Sequence, residues 1–275
     1  MVLSESARVL ITVKASPEPS EKYGDTVCVA GVRLDRARPE FIRLYPVPFR
    51  WMATDQQFKK YDVIDVDLIP PINDLRPESN RLNIDTVRRE GKPIKDIRAR
   101  GAILEPLIGP TMCELRAGVV QNMNATSLGL VRVRTLKGVI VEPGQPWTPS
   151  QQAKIDRALQ QESLFGDATP PELKAPRFIA KYHYFCETAD CPGHKQRILD
   201  WELTAFQLRL RNMSDEAAAE SIRRRFHNEL CADDKRTHFF VGNIADPTKR
   251  RNFSVLGVYA PPKLSDFAAT LDLGI

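Results

Sequence analysis

The chain has 275 residues, 42% of them hydrophobic and 27% charged, which is enough apolar material to bury a sizeable core and excludes an intrinsically disordered chain. No apolar run reaches the roughly 18–20 residues of a bilayer-spanning helix, and Met1-Val2-Leu3-Ser4-Glu5 lacks the basic-then-apolar order of a secretory signal; the expectation is a cytoplasmic protein without a membrane partner. Five cysteines, an odd number at irregular spacing, exclude a disulfide framework, and a net charge of +5 with a pI near 9.0 is compatible with a polyanionic partner.

The spacing of apolar residues predicts an α+β chain, with a β-rich, barrel-like or curled-sheet module over residues 1–142. Strands are expected at Arg8 to Lys14, Thr26 to Arg33, Phe41 to Val47, Asp62 to Ile69 and Leu130 to Glu142, set apart by Pro, Gly and Asp. In Asp62 to Leu68 the alternation puts Ile64, Val66 and Leu68 on one face and Asp65 and Asp67 on the other, the mark of a half-buried strand. Aromatic and basic residues interleave at Phe41 to Trp51 and Phe58 to Tyr61, and Arg88 to Arg100 holds six Lys/Arg against two acids. Such stretches can stack bases and neutralise phosphates together, which makes Arg43, Tyr45, Arg50, Trp51, Lys59, Lys60, Arg88 and Arg89 the expected nucleic-acid contacts.

Residues 143–176 carry six prolines and read as a linker around one short helix. Thr148-Pro149-Ser150-Gln151 supplies its start: a threonine cap, proline at the first helical position and glutamine three residues after the cap. The linker also contains Gln161-Glu162-Ser163-Leu164-Phe165, which resembles the peptide by which bacterial replication and repair proteins dock onto the DNA sliding clamp. In that resemblance a glutamine amide bonds the rim and Leu-Phe fills an apolar pocket.

A mixed module is expected over 177–275: a strand at Arg177 to Phe185, a Cys/His loop, helices over Asp200 to Arg211 and Asp215 to Leu230, then strands at His238 to Gly242 and Phe253 to Tyr259. Leu199, Leu203, Phe206 and Leu210 share one helix face; Ile222, Phe226 and Leu230 share another. The loop holds Cys186-x4-Cys191-x2-His194 around Pro192-Gly193. Thiolate and imidazole are donors Zn2+ prefers, and a tight turn can aim several at one ion. His183 would complete the set, although residues three apart on a strand point to opposite faces; Cys231 and His238 are its rivals. The expected role of the zinc is structural.

Directly after the cluster, Asp200-Trp201-Glu202 opens a helix. Asp200 and Glu202 are the candidate catalytic acids for Mg2+ binding or water activation, with Tyr45, Trp51 or Trp201 as stacking or wedge residues. The same residues also serve a plainer purpose, Asp200 as helix cap, Glu202 as complement to the helix dipole and Trp201 as core. Arg223-Arg224-Arg225 likewise suits the C-terminal end of its helix.

The stretches Lys22-Tyr23-Gly24-Asp25-Thr26-Val27-Cys28, Arg43-Leu44-Tyr45-Pro46-Val47-Pro48-Phe49-Arg50, Cys186-x4-Cys191-x2-His194 with Asp200-Trp201-Glu202, and Phe239-Phe240-Val241-Gly242-Asn243 resemble a family of uncharacterised bacterial proteins. The resemblance implies that the two modules travel as one unit and carries no catalytic residue with it. Walker, Rossmann, HNH and uracil-glycosylase signatures are not evident in the sequence. The functional expectation is a protein acting on DNA in repair or phage defence, either a hydrolase (nuclease or base-excising glycosylase) or a non-enzymatic nucleic-acid-binding adaptor recruited through the clamp-like peptide.

Overall fold

The computed structural model describes residues 4–20, 24–162 and 171–263. The Gln161-Phe165 peptide, whose Ser163, Leu164 and Phe165 fall between those segments, lies outside the described residues.

The first module is a closed barrel. β1 (Glu5–Lys14), β3 (Gly24–Arg33), β4 (Glu40–Val47), β5 (Val63–Ile69) and β6 (Ser79–Leu82) close in the order β1-β3-β4-β6-β5-β1, with β4 and β6 parallel and every other pair antiparallel. β2 (Glu18–Ser20) adds to β3, and β7 (Arg88–Glu90) adds to β5. Closure needs one strand to pair on both sides. β1 does so, and its register slips between Ile11 and Val13, where a bulge bends it around the barrel. The expected alternation in β5 holds, with Ile64, Val66 and Leu68 buried and Asp65 and Asp67 only partly covered.

The second module is also a five-stranded barrel. β8 (Gly129–Pro143) pairs with β9 (Phe178–Cys186) on one side and β11 (His238–Asn243) on the other; β10 (His194–Arg197) continues from β9 and β12 (Phe253–Tyr259) from β11. A parallel bridge between Ile198 and Val255, with Leu199 N–H donating to the Val255 carbonyl at 2.8 Å, joins the ends. Helices α4 (Trp201–Arg209) and α5 (Asp215–Arg223) connect the third and fourth strands. Numbered within each barrel, the strands of both run 1-2-3-5-4-1 with 3 and 5 parallel, the arrangement of the OB barrel.

The strand expected at Leu130 to Glu142 therefore forms, but opens the second barrel rather than ending the first. Alternation shows which residues share a face; it does not show which strand lies alongside. Residues 143–176 are likewise more than a linker. The Gly144 N–H donates to the Arg177 carbonyl at 2.7 Å, and Trp147 Nε1 donates to the Leu173 carbonyl at 2.9 Å. In α3 (Pro149–Glu162), Thr148 Oγ1 accepts from Gln151 N–H at 3.3 Å and the Gln151 side chain accepts from Thr148 N–H at 3.1 Å, which is the anticipated cap. Ile155 and Ala158 of this helix are buried.

The barrels share an apolar seam. Leu10, Val13, Ala30 and Val32 of the first pack with Leu130, Phe240, Leu256 and Tyr259 of the second. Backbone pairing crosses the same junction, where Ala15 bridges Asp200 and Ser16 N–H donates to the Leu199 carbonyl at 2.7 Å. Two helices that the spacing of apolar residues did not predict, α1 (Ile97–Leu104) and α2 (Met112–Gln121), link the modules.

Candidate nucleic-acid groove and metal centre

A groove of about 930 Å3 runs between the two barrels. On the first barrel it is lined by the segment between β1 and β3 (Ala15, Ser16, Glu18), by the adjoining strands (Thr26 and Cys28 on β3, Arg43 and Tyr45 on β4) and by Arg76 from the β5–β6 loop. The second barrel contributes the equivalent parts: Lys181 on β9, His194 to Arg197 on β10, and Ile244 to Asp246, Lys249, Arg251 and Asn252 between β11 and β12. The strand 2–3 face and the loops beside it form the ligand surface of OB barrels. Here the two such surfaces face one groove. Eight Lys/Arg line it against two acids, Glu18 and Asp246. Of the eight, Arg116, Lys195, Arg197 and Arg251 have no salt bridge among the described residues, whereas Lys181 pairs with Glu142 at 2.7 Å. Tyr45 stands on the wall 48% exposed.

Beneath the groove lies a buried polar network. Arg43 and Arg76 are 3% and 4% exposed, and both donate to Ser127 Oγ, at 2.8 and 3.0 Å. Ser127 in turn donates from its N–H and its hydroxyl to Glu78 Oε1, both at 2.8 Å. Arg76 also donates to the Asn243 side chain at 2.7 Å and to Asp74 at 2.6 Å, holding the Asp74 carboxyl down at about 2 against the upward push of burial. Arg43 Nη1 meets only a thiol, Cys28 Sγ, at 3.2 Å, and its Nε has no partner among the described residues. Thus Cys28 and Arg43 of the first barrel and Asn243 of the second, which lie in three separate sequence motifs, all line the groove. Buried partners hold the Arg43 and Arg76 guanidiniums in place.

The candidate metal ligands Cys186, Cys191 and His194 converge on the adjacent hairpin. Cys186 ends β9 and His194 begins β10, with Cys191 on the turn between; Gly193 takes φ +85° there, a conformation side-chain-bearing residues seldom adopt. The fourth member is Cys113, in the first turn of α2. That helix is fixed by a capping box between Thr111 and Glu114, and Thr188 of the turn donates to Thr111 Oγ1 at 2.9 Å. The four donor atoms all lie within 4.8 Å of one another and could hold a metal ion. Cys186 Sγ is 3.5 Å from Cys191 Sγ and 3.7 Å from Cys113 Sγ; His194 Nε2 is 3.2 Å from Cys191 Sγ and 3.6 Å from Cys113 Sγ. Zn–S and Zn–N bonds of about 2.3 and 2.0–2.1 Å give tetrahedral edges of roughly 3.6–3.8 Å, so the spacing fits an ion at the centre. Burial pushes the Cys186 thiol up, but the hydrogen bonds it shares with Thr188 and other neighbours outweigh this and hold it at about 5. Burial pushes Cys113 up to about 11.

Several expected site residues lie elsewhere. His183 is on the opposite face of β9 from Cys186 and sits beside Phe185. The alternation of a continuous strand thus keeps it out of the cluster. Cys231 lies 3.9 Å from the Tyr182 hydroxyl, and His238 packs beside Tyr259 on β11. Asp200, 5% exposed, accepts from Glu202 N–H at 2.9 Å as the cap of α4; burial pushes its carboxyl up to about 7, against the pull of Lys60. Neither Asp200 nor the exposed Glu202 lines the groove, and Trp201 packs edge-on against Phe49 in the first barrel's core. Lys14, which lies over the Phe49 ring, is pushed down to about 8 by the same burial.

Of the eight expected nucleic-acid contacts, Arg43 and Tyr45 line the groove. Arg50 is engaged by Asp25 at 2.8 Å and by the Pro171 carbonyl, and Trp51 lines a small cavity together with Ile155 and Leu159 of α3. Lys60 donates to the Val258 carbonyl at 3.1 Å across the seam, and Lys59 is exposed outside the groove. Arg88 and Arg89 border a separate depression with Asp55 and Asp85. Arg76, Arg116, Lys195 and Arg197 are groove residues that sequence reasoning passed over. No local motif marks them, because the non-local pairing of the barrels brings them together.

No curated protein sequence matches the chain. Among solved structures, a murine DNA-binding protein bound with double-stranded DNA aligns at 10% identity and a TM-score of 0.32, covering 94% of this chain and 98% of that one. The Ifi202 HINa domain in complex with 20 bp double-stranded DNA aligns at 8% identity and a TM-score of 0.32, covering 96% and 98%. Likeness at this level fixes neither fold nor function for the chain. A model for a domain of unknown function, DUF8758, matches residues 5–106, which hold all the first barrel's strands. The model for a second, DUF8757, matches residues 109–272, more than half of the chain and all of the second barrel's strands, so the protein belongs to the DUF8757 family.

Proposed function

We propose that the protein binds nucleic acid, with DNA as the expected partner, along the groove between its barrels. The observation that carries this reading is the excess of eight Lys/Arg over two acids where two OB ligand faces meet. Arg116, Lys195, Arg197 and Arg251 track phosphates, while the exposed face of Tyr45 offers a platform for an unpaired base. A single strand is accordingly the preferred form. Hydrolysis is no part of this reading, since neither Asp200 nor Glu202 opens onto the groove. The ion that suits three cysteines and one histidine is Zn2+, and four protein ligands leave no open position for chemistry, so its role is structural.

The test is fluorescence anisotropy with labelled single- and double-stranded DNA over a range of salt. Affinity should fall linearly on logarithmic axes, and the combined variant Lys195→Glu, Arg197→Glu and Arg251→Glu should reduce the slope by about one for each phosphate that is no longer neutralised. Absence of binding at low salt, where electrostatic attraction is strongest, would overturn the proposal.

A further inference from the structure

Three groove cations are near neighbours in sequence of a cluster ligand: Arg116 lies one helical turn after Cys113 on α2, and Lys195 and Arg197 follow His194 on β10. His194 belongs to both places, with Nε2 in the cluster and the residue itself lining the groove. The strand that carries this wall is short. β10 pairs with β9 over four residues only, whereas the corresponding β4 of the first barrel pairs with β3 over six positions between Val27 and Arg33. Between α2 and the β9–β10 hairpin, the side-chain links among the described residues include the Thr188–Thr111 hydrogen bond, the Gln196 Nε2 donation to Met112 Sδ at 3.0 Å and the approach of Cys113 to Cys186 and His194.

We propose that one Zn2+ bound by Cys113, Cys186, Cys191 and His194 holds the second wall of the groove in place, so that metal occupancy controls nucleic-acid affinity. The affinity half of this statement rests on the groove reading above; the positional half does not. An ion bonded to α2 and to three points on the β9–β10 hairpin fixes the relative position of two elements that each present cations to the groove. It is a positioning device, and no bond of the nucleic acid is made or broken at it.

The experiment uses the purified full chain in three parts: metal analysis, hydrogen exchange with and without a strong chelator, and single-stranded DNA binding in the same two states. Stoichiometric zinc is expected. Its removal should speed exchange by about tenfold or more at residues 112–121 and 186–197, leave β1, β3, β4 and β5 of the first barrel unchanged, and weaken DNA binding about tenfold, with recovery on adding Zn2+. Cys113→Ser should reproduce the loss, and Cys113→His, which restores a ligand, should retain both zinc and affinity. Absence of zinc, or exchange at 186–197 that ignores the chelator, overturns the proposal. Exchange rising equally in the first barrel overturns it as a local brace. Zinc-dependent protection with no DNA binding in either state supports the brace and removes the groove reading, whereas zinc-independent DNA binding removes only the coupling.

Discussion

The two barrels solve the same problem by different means. Each must hold a strand 2–3 hairpin rigid enough to present cations across the groove. In the first, β3 and β4 pair along most of their length over an apolar core, and Arg43 is locked from behind by Ser127 and Glu78. In the second, β10 pairs with β9 over four residues, and the Cys/His cluster brings its first residue, His194, together with Cys113 of the neighbouring α2. The same topology therefore predicts unequal sensitivities, polar-network variants damaging the first wall and metal loss the second.

The largest expected effect of a single substitution falls on the first wall. Glu78→Ala leaves Arg43 and Arg76 buried without the carboxylate that Ser127 relays to them, and breaking a buried charge arrangement of this kind costs about 3–5 kcal/mol. Urea unfolding reads this directly. A loss within about 1 kcal/mol, the scale of a surface pair, would mean that the network is not what holds the wall.

A smaller effect tests the binding surface without touching stability. Tyr45→Ala should weaken single-stranded DNA binding by about 1–3 kcal/mol, with Tyr45→Phe close to the parent protein, because the ring face and not the hydroxyl does the stacking. Equal losses for single-stranded and duplex DNA in the anisotropy assay would reassign Tyr45 to a general contact.

The smallest effect separates the seam from the groove. Asp200→Ala should cost about 1 kcal/mol through loss of the α4 cap, while Asp200→Asn keeps the cap. Burial raises the folded-state pKa of Asp200 to about 7. Its contribution to stability is therefore fully present below the ordinary carboxylate range and is lost as pH rises toward 7. Thermal melts of Asp200→Asn should show a flatter stability profile than the parent between about pH 4 and pH 7. Identical profiles would show that Asp200 does not titrate in this window.

How much of this was legible in the sequence follows from the range of each interaction. The strands Thr26 to Arg33, Asp62 to Ile69 and Phe253 to Tyr259 could be read because alternation is local, and the α3 cap because it spans four residues. The turn ligands Cys186, Cys191 and His194 were readable for the same reason. Cys113 was not, since it lies 73 residues before Cys186 and only the docking of α2 brings it there. The Thr111-x-x-Glu114 capping box was the available sign of that helix. The assignment of Leu130 to Glu142 to the first module failed because pairing partners leave no local mark. Asp200 and Glu202 read in the sequence both as an acid pair and as a helix cap with its first turn, and the structure has Asp200 as the buried cap of α4 with Glu202 exposed beside it.

The central claim is that the basic groove, and not the other basic runs, meets the nucleic acid. Differential acetylation of lysines, with and without saturating single-stranded DNA, tests it in one measurement. Lys181, Lys195 and Lys249, which line the groove, should become protected, while Lys59, Lys92 and Lys95, exposed outside it, should react as before. Protection of Lys59, Lys92 and Lys95 with Lys195 and Lys249 still reactive would place the nucleic acid elsewhere and refute the claim.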